Sequence, residues 1–198
     1  MERGLKRTGL RLFMAALLFL LLACSGTVSV HAASGGFTGF AGDYYYKKGK
    51  KQKKKAVKYQ GHWYVLDSKG RMVRGKTYKL KGATYRLRPD GTAYTGAWMF
   101  GKRIYIYGSD GKLNRSKTDL MKRYSKESVS EKSKPFSKVK KYLGKIRYAW
   151  KTGGCGGSGY YQNYYYEHGF LVTTYVDKKK SYFSYAEKTP WDPTLIDE

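Results

Sequence analysis

The chain has little of the material from which small enzymes and metal centres are built. Its 198 residues include two cysteines, three histidines and four prolines, and only 14 acidic residues stand against 40 lysines and arginines. Two cysteines cannot form a disulfide scaffold or a closed zinc site, and three histidines leave few ligands for another metal. The acidic residues are scattered and offer no carboxylate pair for glycoside hydrolysis. We therefore predict a non-enzyme that binds no metal and no cofactor.

Aromatic residues, glycine and positive charge are abundant instead. The chain has 21 tyrosines and 24 glycines, and its formal net charge is +26. A disordered chain of this charge would be poor in aromatic residues, so complete disorder is excluded. Aromatic strand formers interrupted by glycines are typical of β-structure with many turns.

The first 32 residues have the pattern of a secretory signal peptide. Basic residues precede an apolar run over residues 12–23, which is shorter than the length that a membrane-spanning helix needs. The basic residues are Arg3, Lys6, Arg7 and Arg11. No second apolar run follows, so we expect a mature chain without a membrane span.

Two processing sites are open in this segment. Cleavage after Ala32 fits the small-residue preference of the general signal peptidase. Leu21 to Cys24 resembles a lipobox, in which Cys24 would become a lipid-modified first residue. Either route predicts a secreted or cell-wall-associated protein, and the second predicts a lipoprotein.

A repeat of about twenty residues follows, in residues 61–75, 82–96 and 101–113. Its marker tyrosines, Tyr64, Tyr85 and Tyr105, are spaced by 21 and 20 residues, and a turn glycine keeps the same spacing at positions 70, 91 and 111. Three aligned copies make chance similarity untenable. A degenerate earlier copy begins at Gly42.

Each copy combines a short aromatic run with a glycine turn. Trp63 to Leu66 suits a strand, and the turn at Gly70 leads to a second short run, which predicts one β-hairpin per repeat. A lone hairpin is marginal in water, so neighbours must stack. The predicted fold class is mainly β, with a β-hairpin solenoid of three to four repeats over residues 42–118, after a linker at 33–41.

The pattern Gly-x-Trp-Tyr-x-Leu-Asp-Ser-x-Gly-x-Met-x-x-Gly of residues 61–75 resembles the cell-wall-binding repeat of Gram-positive surface proteins. That family includes choline-binding and glucan-binding modules. The resemblance implies aromatic ligand cages between successive hairpins and a wall-binding role. The implied ligand-binding residues are Trp63, Tyr64, Tyr85, Trp98 and Tyr105. The alternative is that these rings only build the core of the repeats.

A run of lysines precedes the first complete repeat, and we expect it to be extended or loop-like because like charges repel. It comprises Lys47, Lys48, Lys50, Lys51, Lys53, Lys54 and Lys55. It is either a solvated segment or a contact for a polyanion. The signal peptide disfavours nucleic acid as the partner and favours teichoic acid or another anionic envelope polymer.

The C-terminal part predicts a linker at residues 119–135 and a small α+β module at 136–198. We expect a short helix over residues 135–144, strands at 146–150, 164–176 and 181–185, and a hairpin turn at 177–180. The arrangement is similar to secreted helix-plus-sheet modules of the β-lactamase-inhibitor-like group. Cys155 and His168 are the one thiol–imidazole pair, but Cys155 lies in a glycine run without a helix start, so we expect no catalysis.

Two functions remain open at this point. In the first, the protein is a non-catalytic wall-binding protein that docks on envelope polysaccharide or teichoic acid through aromatic repeats and basic residues. In the second, the C-terminal module binds a protein partner, as an interaction or inhibitor-type protein, and the repeats only anchor it.

Overall fold

The structure is a computed structural model that describes residues 36–124, 134–153 and 159–189. The predicted signal peptide with Cys24, the linker residues 125–133 and Cys155 lie outside these ranges. The described chain is mainly β and consists of antiparallel hairpins and sheets, as the sequence predicted. No helix of the described ranges is long and apolar enough to cross a membrane.

The strands and helices follow one another in a simple order. The strands before the first helix are β1 (Gly39–Ala41), β2 (Tyr44–Lys47), β3 (Lys50–Lys51), β4 (Lys55–Tyr59), β5 (His62–Leu66), β6 (Thr77–Leu80), β7 (Ala83–Arg86), β8 (Gly96–Phe100) and β9 (Arg103–Tyr107). The remaining elements are helices α1 (Arg115–Tyr124) and α2 (Ser137–Lys140), and strands β10 (Ile146–Gly153), β11 (Tyr160–Tyr166), β12 (Phe170–Asp177) and β13 (Lys180–Lys188).

Strand pairing is between chain neighbours throughout. Strands β1, β2 and β3 form a three-stranded sheet, and three two-stranded hairpins follow, β4–β5, β6–β7 and β8–β9. Strands β10 to β13 form a four-stranded antiparallel sheet in chain order. We call the three two-stranded units the first, second and third hairpin.

The position of the hairpin turns differs from the prediction. Gln60 and Gly61 connect the paired strands of the first hairpin, and both have positive φ, as a type I′ turn requires. Lys81 and Gly82 do the same in the second hairpin. The turn expected at Gly70 is present, but it supports a single bridge rather than a paired strand.

The second turn of each repeat connects successive hairpins instead. The N–H of Met72 donates to the carbonyl of Asp43 at 2.8 Å, and the N–H of Ala93 donates to that of Trp63 at 2.7 Å. Leu113 repeats the contact, because its N–H donates to the carbonyl of Thr84 at 2.8 Å. Each repeat is therefore tied by its backbone to the repeat before it.

The third hairpin shares one apolar core with the C-terminal sheet. Its strands alternate, so that one face is buried and the other is half-exposed. The shared core contains Ala97, Met99, Ile104, Ile106, Met121, Phe136, Val139, Leu143, Tyr166, Phe170, Val172 and Phe183. The hairpins and the C-terminal sheet are thus joined through side-chain packing as well as through the chain.

Helix α1 occupies a segment for which the sequence predicted a linker. It begins after Asn114, whose Oδ1 accepts a hydrogen bond from the N–H of Lys117 at 3.1 Å, and it buries Met121 completely. The polar composition concealed this helix, because one buried methionine and a capping asparagine are a weak pattern. The linker residues 119–124 are therefore helical, which corrects the predicted boundary.

The other C-terminal elements agree in part with the prediction. Helix α2 is shorter than expected, and of the apolar residues in the predicted helix Phe136, Val139 and Leu143 are buried, whereas Tyr142 is half-buried. The run predicted as one strand over 164–176 is two strands, because a turn at residues 167–169 divides it. Gly169, with a φ of 73°, closes that turn by donating to the carbonyl of Tyr166.

Two glycines with the same backbone conformation provide a matched test of the packing between repeats. Gly111 and Gly82 have φ values of 76° and 79°, but a Cβ at Gly111 would lie 2.8 Å from the Cβ of Ala93, whereas nothing lies within 4 Å at Gly82. We expect Gly82→Ala to cost about 1 kcal/mol and Gly111→Ala about 2–4 kcal/mol in unfolding free energy, because only the second adds overpacking to backbone strain. Urea denaturation measures both, and equal costs would contradict the packing of the second turn against the preceding hairpin.

The Tyr166 hydroxyl offers a second test. It is completely buried and has no hydrogen-bond partner within the described part of the chain. An unsatisfied buried hydroxyl costs about 1–3 kcal/mol. We therefore expect Tyr166→Phe to leave the fold intact and to raise the thermal unfolding midpoint, whereas a lowered midpoint would indicate that the hydroxyl is satisfied.

Candidate functional site

The outer face of the third hairpin carries a row of half-buried aromatic rings. Ala97 and Met99 point into the shared core, so Trp98 and Phe100 of the same strand point away from it. Trp98 is paired across the hairpin with Tyr105, which places two of the sequence-predicted ligand-binding residues side by side.

Tyr94 extends this row from the segment that precedes strand β8. Its ring centroid lies 4.9 Å from that of Trp98 at an interplanar angle of 73°, and 5.2 Å from that of Phe100 at 86°. Edge-to-face contacts of this kind are the favoured geometry of aromatic pairs. Tyr94, Trp98 and Phe100 therefore form one continuous patch.

Two arginines from the second hairpin lie over this patch. The Cζ of Arg86 is 3.8 Å from the Phe100 centroid. The Cζ of Arg88 is 4.5 Å from the Tyr94 centroid and 4.9 Å from the Trp98 centroid. These distances are within the range of cation–π attraction. We call these five residues the arginine–aromatic cluster.

His168 holds the cluster against the C-terminal sheet. Its ring is stacked on Trp98 with centroids 3.9 Å apart and planes 16° apart, and its Nδ1 lies 2.7 Å from the carbonyl oxygen of Ala97, to which it donates. The indole Nε1 of Trp98 donates to the carbonyl of Thr95 at 2.8 Å. Trp98 is thus fixed by groups from two distant parts of the chain.

The positive charges of the cluster are not neutralised by nearby carboxylates. The ion pairs within the described ranges are Asp67–Arg71, Asp43–Arg74 and Asp110–Lys112, and none includes Arg86 or Arg88. Asp90 lies two residues after Arg88: desolvation raises the pKa of its carboxyl, but hydrogen bonds from Thr92 and the charge of Arg88 outweigh that effect and lower it overall. Burial also raises the pKa of Tyr107 to about 12, although the charge of Arg86 opposes the shift.

A contrasting groove lies along the segment that connects the first and second hairpins. It has a volume of about 440 Å³ and is lined in part by Arg71, Arg74, Asp43 and Asp67. The Nη2 of Arg74 lies 2.8 Å from Oδ1 of Asp43, and the Nε of Arg71 lies 3.5 Å from Oδ2 of Asp67. Both arginines of the groove are therefore paired with carboxylates of the protein, unlike those of the arginine–aromatic cluster.

Tyr64 belongs to a second group of rings near the start of the described chain. The Phe40 centroid lies 4.8 Å from that of Tyr64, 5.1 Å from that of Tyr45 and 5.6 Å from that of Tyr59. Phe40 therefore fills the space between these tyrosines. Tyr64 contributes to the packing of the first repeats more than to an open surface.

The remaining two predicted ligand-binding residues lie apart from the cluster. Tyr85 is 3% exposed, and burial raises its pKa, so its ring belongs to the core of the second hairpin. Trp63 packs beside the same core and is half-buried. The structure thus brings Trp98 and Tyr105 together and leaves Trp63, Tyr64 and Tyr85 at other positions.

The lysine run, predicted to be extended or loop-like, contains both forms: part of it lies in strands β2, β3 and β4, and Lys53 and Lys54 lie between strands. Lys47 pairs with Lys50 across a two-residue turn of Lys48 and Gly49, both with positive φ. All seven lysines are exposed. The Nζ of Lys51 lies 3.4 Å from the ring centroid of Tyr44, and none of the seven takes part in an ion pair described here. These seven lysines, which we call the lysine hairpin, therefore present a row of cations that no carboxylate of the described ion pairs neutralises.

Sequence reasoning missed several members of the cluster. Arg86, Arg88, Tyr94 and Phe100 were not singled out, and His168 was considered only as a partner of Cys155. The alternation Arg-Leu-Arg at 86–88 is a signal for one strand face, since residues two apart lie on the same side. No local pattern indicates His168, which lies 70 residues from Trp98.

Solved structures similar to this one include choline-binding proteins of Streptococcus pneumoniae and an endolysin of phage Cp-1. The choline binding domain of Spr1274 in Streptococcus pneumoniae is 22% identical, with a TM-score of 0.32 over 39% of this chain and 94% of that one. Choline binding protein F of the same organism is 20% identical, with a TM-score of 0.33 over 70% and 42%. The multimodular pneumococcal cell wall endolysin from phage Cp-1, complexed with choline, is 18% identical, with a TM-score of 0.33 over 76% and 37%.

The chain thus spans less than half the length of the last two proteins. The first two of these structures are described as choline-binding, which is the family that the repeat of residues 61–75 resembles. No protein-family model matches the chain, and no curated protein matches it.

The contacts of His168 predict a measurable contribution to stability. Its replacement by alanine removes the stack on Trp98 and the hydrogen bond to Ala97, which together are worth about 1–2 kcal/mol. His62, exposed at the start of strand β5, is the matched control, and we expect His62→Ala to cost less than about 0.5 kcal/mol. Thermal unfolding of both variants measures these costs. Equal unfolding midpoints would contradict a stabilising contact between His168 and Trp98.

Proposed function

We propose that this chain is a non-catalytic, secreted protein that docks on an anionic polymer of the Gram-positive cell envelope, polysaccharide or teichoic acid. The observation that carries the proposal is the pairing of uncompensated cations with aromatic rings on the hairpins. Aromatic faces stack on the apolar faces of sugars, and cations attract phosphate or carboxylate.

The lysine hairpin and the arginine–aromatic cluster have complementary roles in this proposal. The exposed lysines between residues 47 and 55 act over several ångströms and attract any polyanion. The half-buried rings of Trp98 and Tyr105 form a firmer contact surface. Several weak contacts on one polymer strengthen each other by avidity.

The repeat organisation belongs to the same proposal. The backbone bonds from Met72, Ala93 and Leu113 to the preceding hairpins support a β-hairpin solenoid over residues 42–118. The helices and the four-stranded sheet support a small α+β module at 136–198. A solenoid presents an extended side to a long ligand, which suits a polymer better than a small molecule.

The non-catalytic part of the proposal is supported by the contacts of His168. A general base must reach its nucleophile, but the ring of His168 is stacked on Trp98 and its Nδ1 is bonded to Ala97. Secretion is supported by the basic and apolar segments of residues 1–32. A lipid anchor at Cys24 remains the alternative form of attachment.

The salt dependence of wall binding tests the role of the lysines. Changing Lys47, Lys48, Lys50, Lys51, Lys53, Lys54 and Lys55 to glutamine in the secreted protein should weaken binding to purified wall sacculi at low salt. It should have little effect near 1 M salt, where the screening length is about 3 Å. The slope of log affinity against log salt should become less steep by about 2 or more, because fewer counterions are released.

The chain offers a matched control for the same charge change. Seven other exposed lysines, Lys69, Lys79, Lys102, Lys122, Lys138, Lys145 and Lys188, can be replaced in the same way. We expect this variant to keep most of the salt-dependent slope. If both variants lose binding equally, net charge rather than the lysine hairpin is responsible. If the wild type does not bind walls at any salt, the proposed function is wrong and the protein-partner alternative is favoured.

A further inference from the structure

Tyr94 and Trp98 form a corner in which a positive charge already sits. Their rings meet at 73°, and the guanidinium carbon of Arg88 lies 4.5 and 4.9 Å from the two centroids. A cation bound between two rings is held by the negative faces of both. The protein therefore supplies from its own chain the charge that such a corner attracts.

Arg88 is held in this position by its own turn. Its Nη1 donates to Oγ1 of Thr92 at 3.3 Å, and that hydroxyl donates to Oδ1 of Asp90 at 2.7 Å. The N–H of Gly91 closes the turn on the carbonyl of Arg88 at 2.9 Å. The guanidinium has five N–H donors, so one hydrogen bond leaves most of its edge available.

Arg86, two residues before Arg88 in the chain, also lies over an aromatic ring. Residues 86 and 88 lie on one side, and Arg86 covers Phe100, whose ring adjoins Tyr94. Neither arginine has a carboxylate within ion-pair distance in the described ranges. Both guanidinium groups therefore lie over aromatic rings, and neither is paired with a carboxylate in this part of the chain.

The chemistry of this arrangement favours an oxyanion over a cation. An arginine edge fits the oxygens of a phosphate in a bidentate manner, and a ring-stacked guanidinium is already oriented for it. A phosphodiester polymer repeats that group, and its uncharged links can pack on the adjoining rings. An external quaternary ammonium group would have to displace Arg88 and would meet the charge of Arg86.

We propose that Arg86 and Arg88 form a binding site for the phosphodiester groups of an envelope polymer, and that this site does not accept choline. The inference rests on the proposed function, because it names the ligand chemistry of the same surface. Arg88 and Arg86 bind the phosphate oxygens, and Trp98 and Tyr94 hold Arg88 in place.

Isothermal titration of the full secreted protein tests the site with choline-free poly(glycerol phosphate). The wild type should bind it, and Arg86→Gln combined with Arg88→Gln should weaken binding by about 10- to 100-fold. The control is Arg115→Gln combined with Arg123→Gln, two exposed arginines of helix α1, which should change affinity less than about twofold. Millimolar choline chloride should not displace the polymer from the wild type.

A gain of binding provides the second measurement. Arg88→Ala empties the corner between Tyr94 and Trp98, so choline should quench the fluorescence of this variant at concentrations on the order of 10 mM and leave the wild type unchanged. Circular dichroism verifies the fold of each variant. If Arg88→Ala does not fold, the titration of the Arg86/Arg88 glutamine variant and choline competition on the wild type decide the matter.

The outcomes separate this inference from the function on which it rests. Displacement of polymer from the wild type by choline overturns the site, as does an Arg86/Arg88 glutamine variant that binds like the helix α1 control variant. Equal, arginine-dependent binding of a polyuronate overturns the assignment to phosphodiester. A wild type that binds sacculi but not poly(glycerol phosphate) overturns this inference alone, whereas a wild type that binds neither overturns both.

Discussion

The burial of one face of the third hairpin is the constraint on which the rest depends. Ala97, Met99, Ile104 and Ile106 enter a core that also contains helix α1, helix α2 and the four-stranded sheet. Because side chains alternate along a strand, this burial directs Trp98 and Phe100 to the opposite face. The same packing thus joins the two parts of the chain and orients the rings of the candidate site.

The cationic side chains of the protein have two different kinds of surroundings. Around the groove between the first and second hairpins, arginines meet carboxylates, as in the pair of Arg74 and Asp43. In the lysine hairpin and the arginine–aromatic cluster, the cations instead lie over aromatic rings or are exposed. A ring lowers the energy of a cation without cancelling its charge, so the attraction for an external anion is kept.

The repeats and the C-terminal sheet are also joined through an aromatic contact. His168, in the turn between β11 and β12, stacks on Trp98 of the third hairpin. The rigidity of the candidate site therefore depends on the C-terminal sheet, and a fragment that ends after the third hairpin would expose the apolar face of Met99 and Ile104. Binding experiments accordingly use the full secreted chain.

The sequence by itself determined the repeat, the β-class of the fold and the presence of glycine turns, because these follow from local spacing and from positive φ. It misplaced the turn of each hairpin, since Gly61 and Gly70 both suit a turn and only strand pairing distinguishes them. The resemblance of the repeat singled out Trp98 and Tyr105, but the sequence could not tell that Tyr85 is buried. The positions of Arg86, Arg88 and His168 were decided only by the tertiary structure, because each is fixed by rings on another hairpin or sheet, and contacts between distant segments leave no periodic trace in the chain.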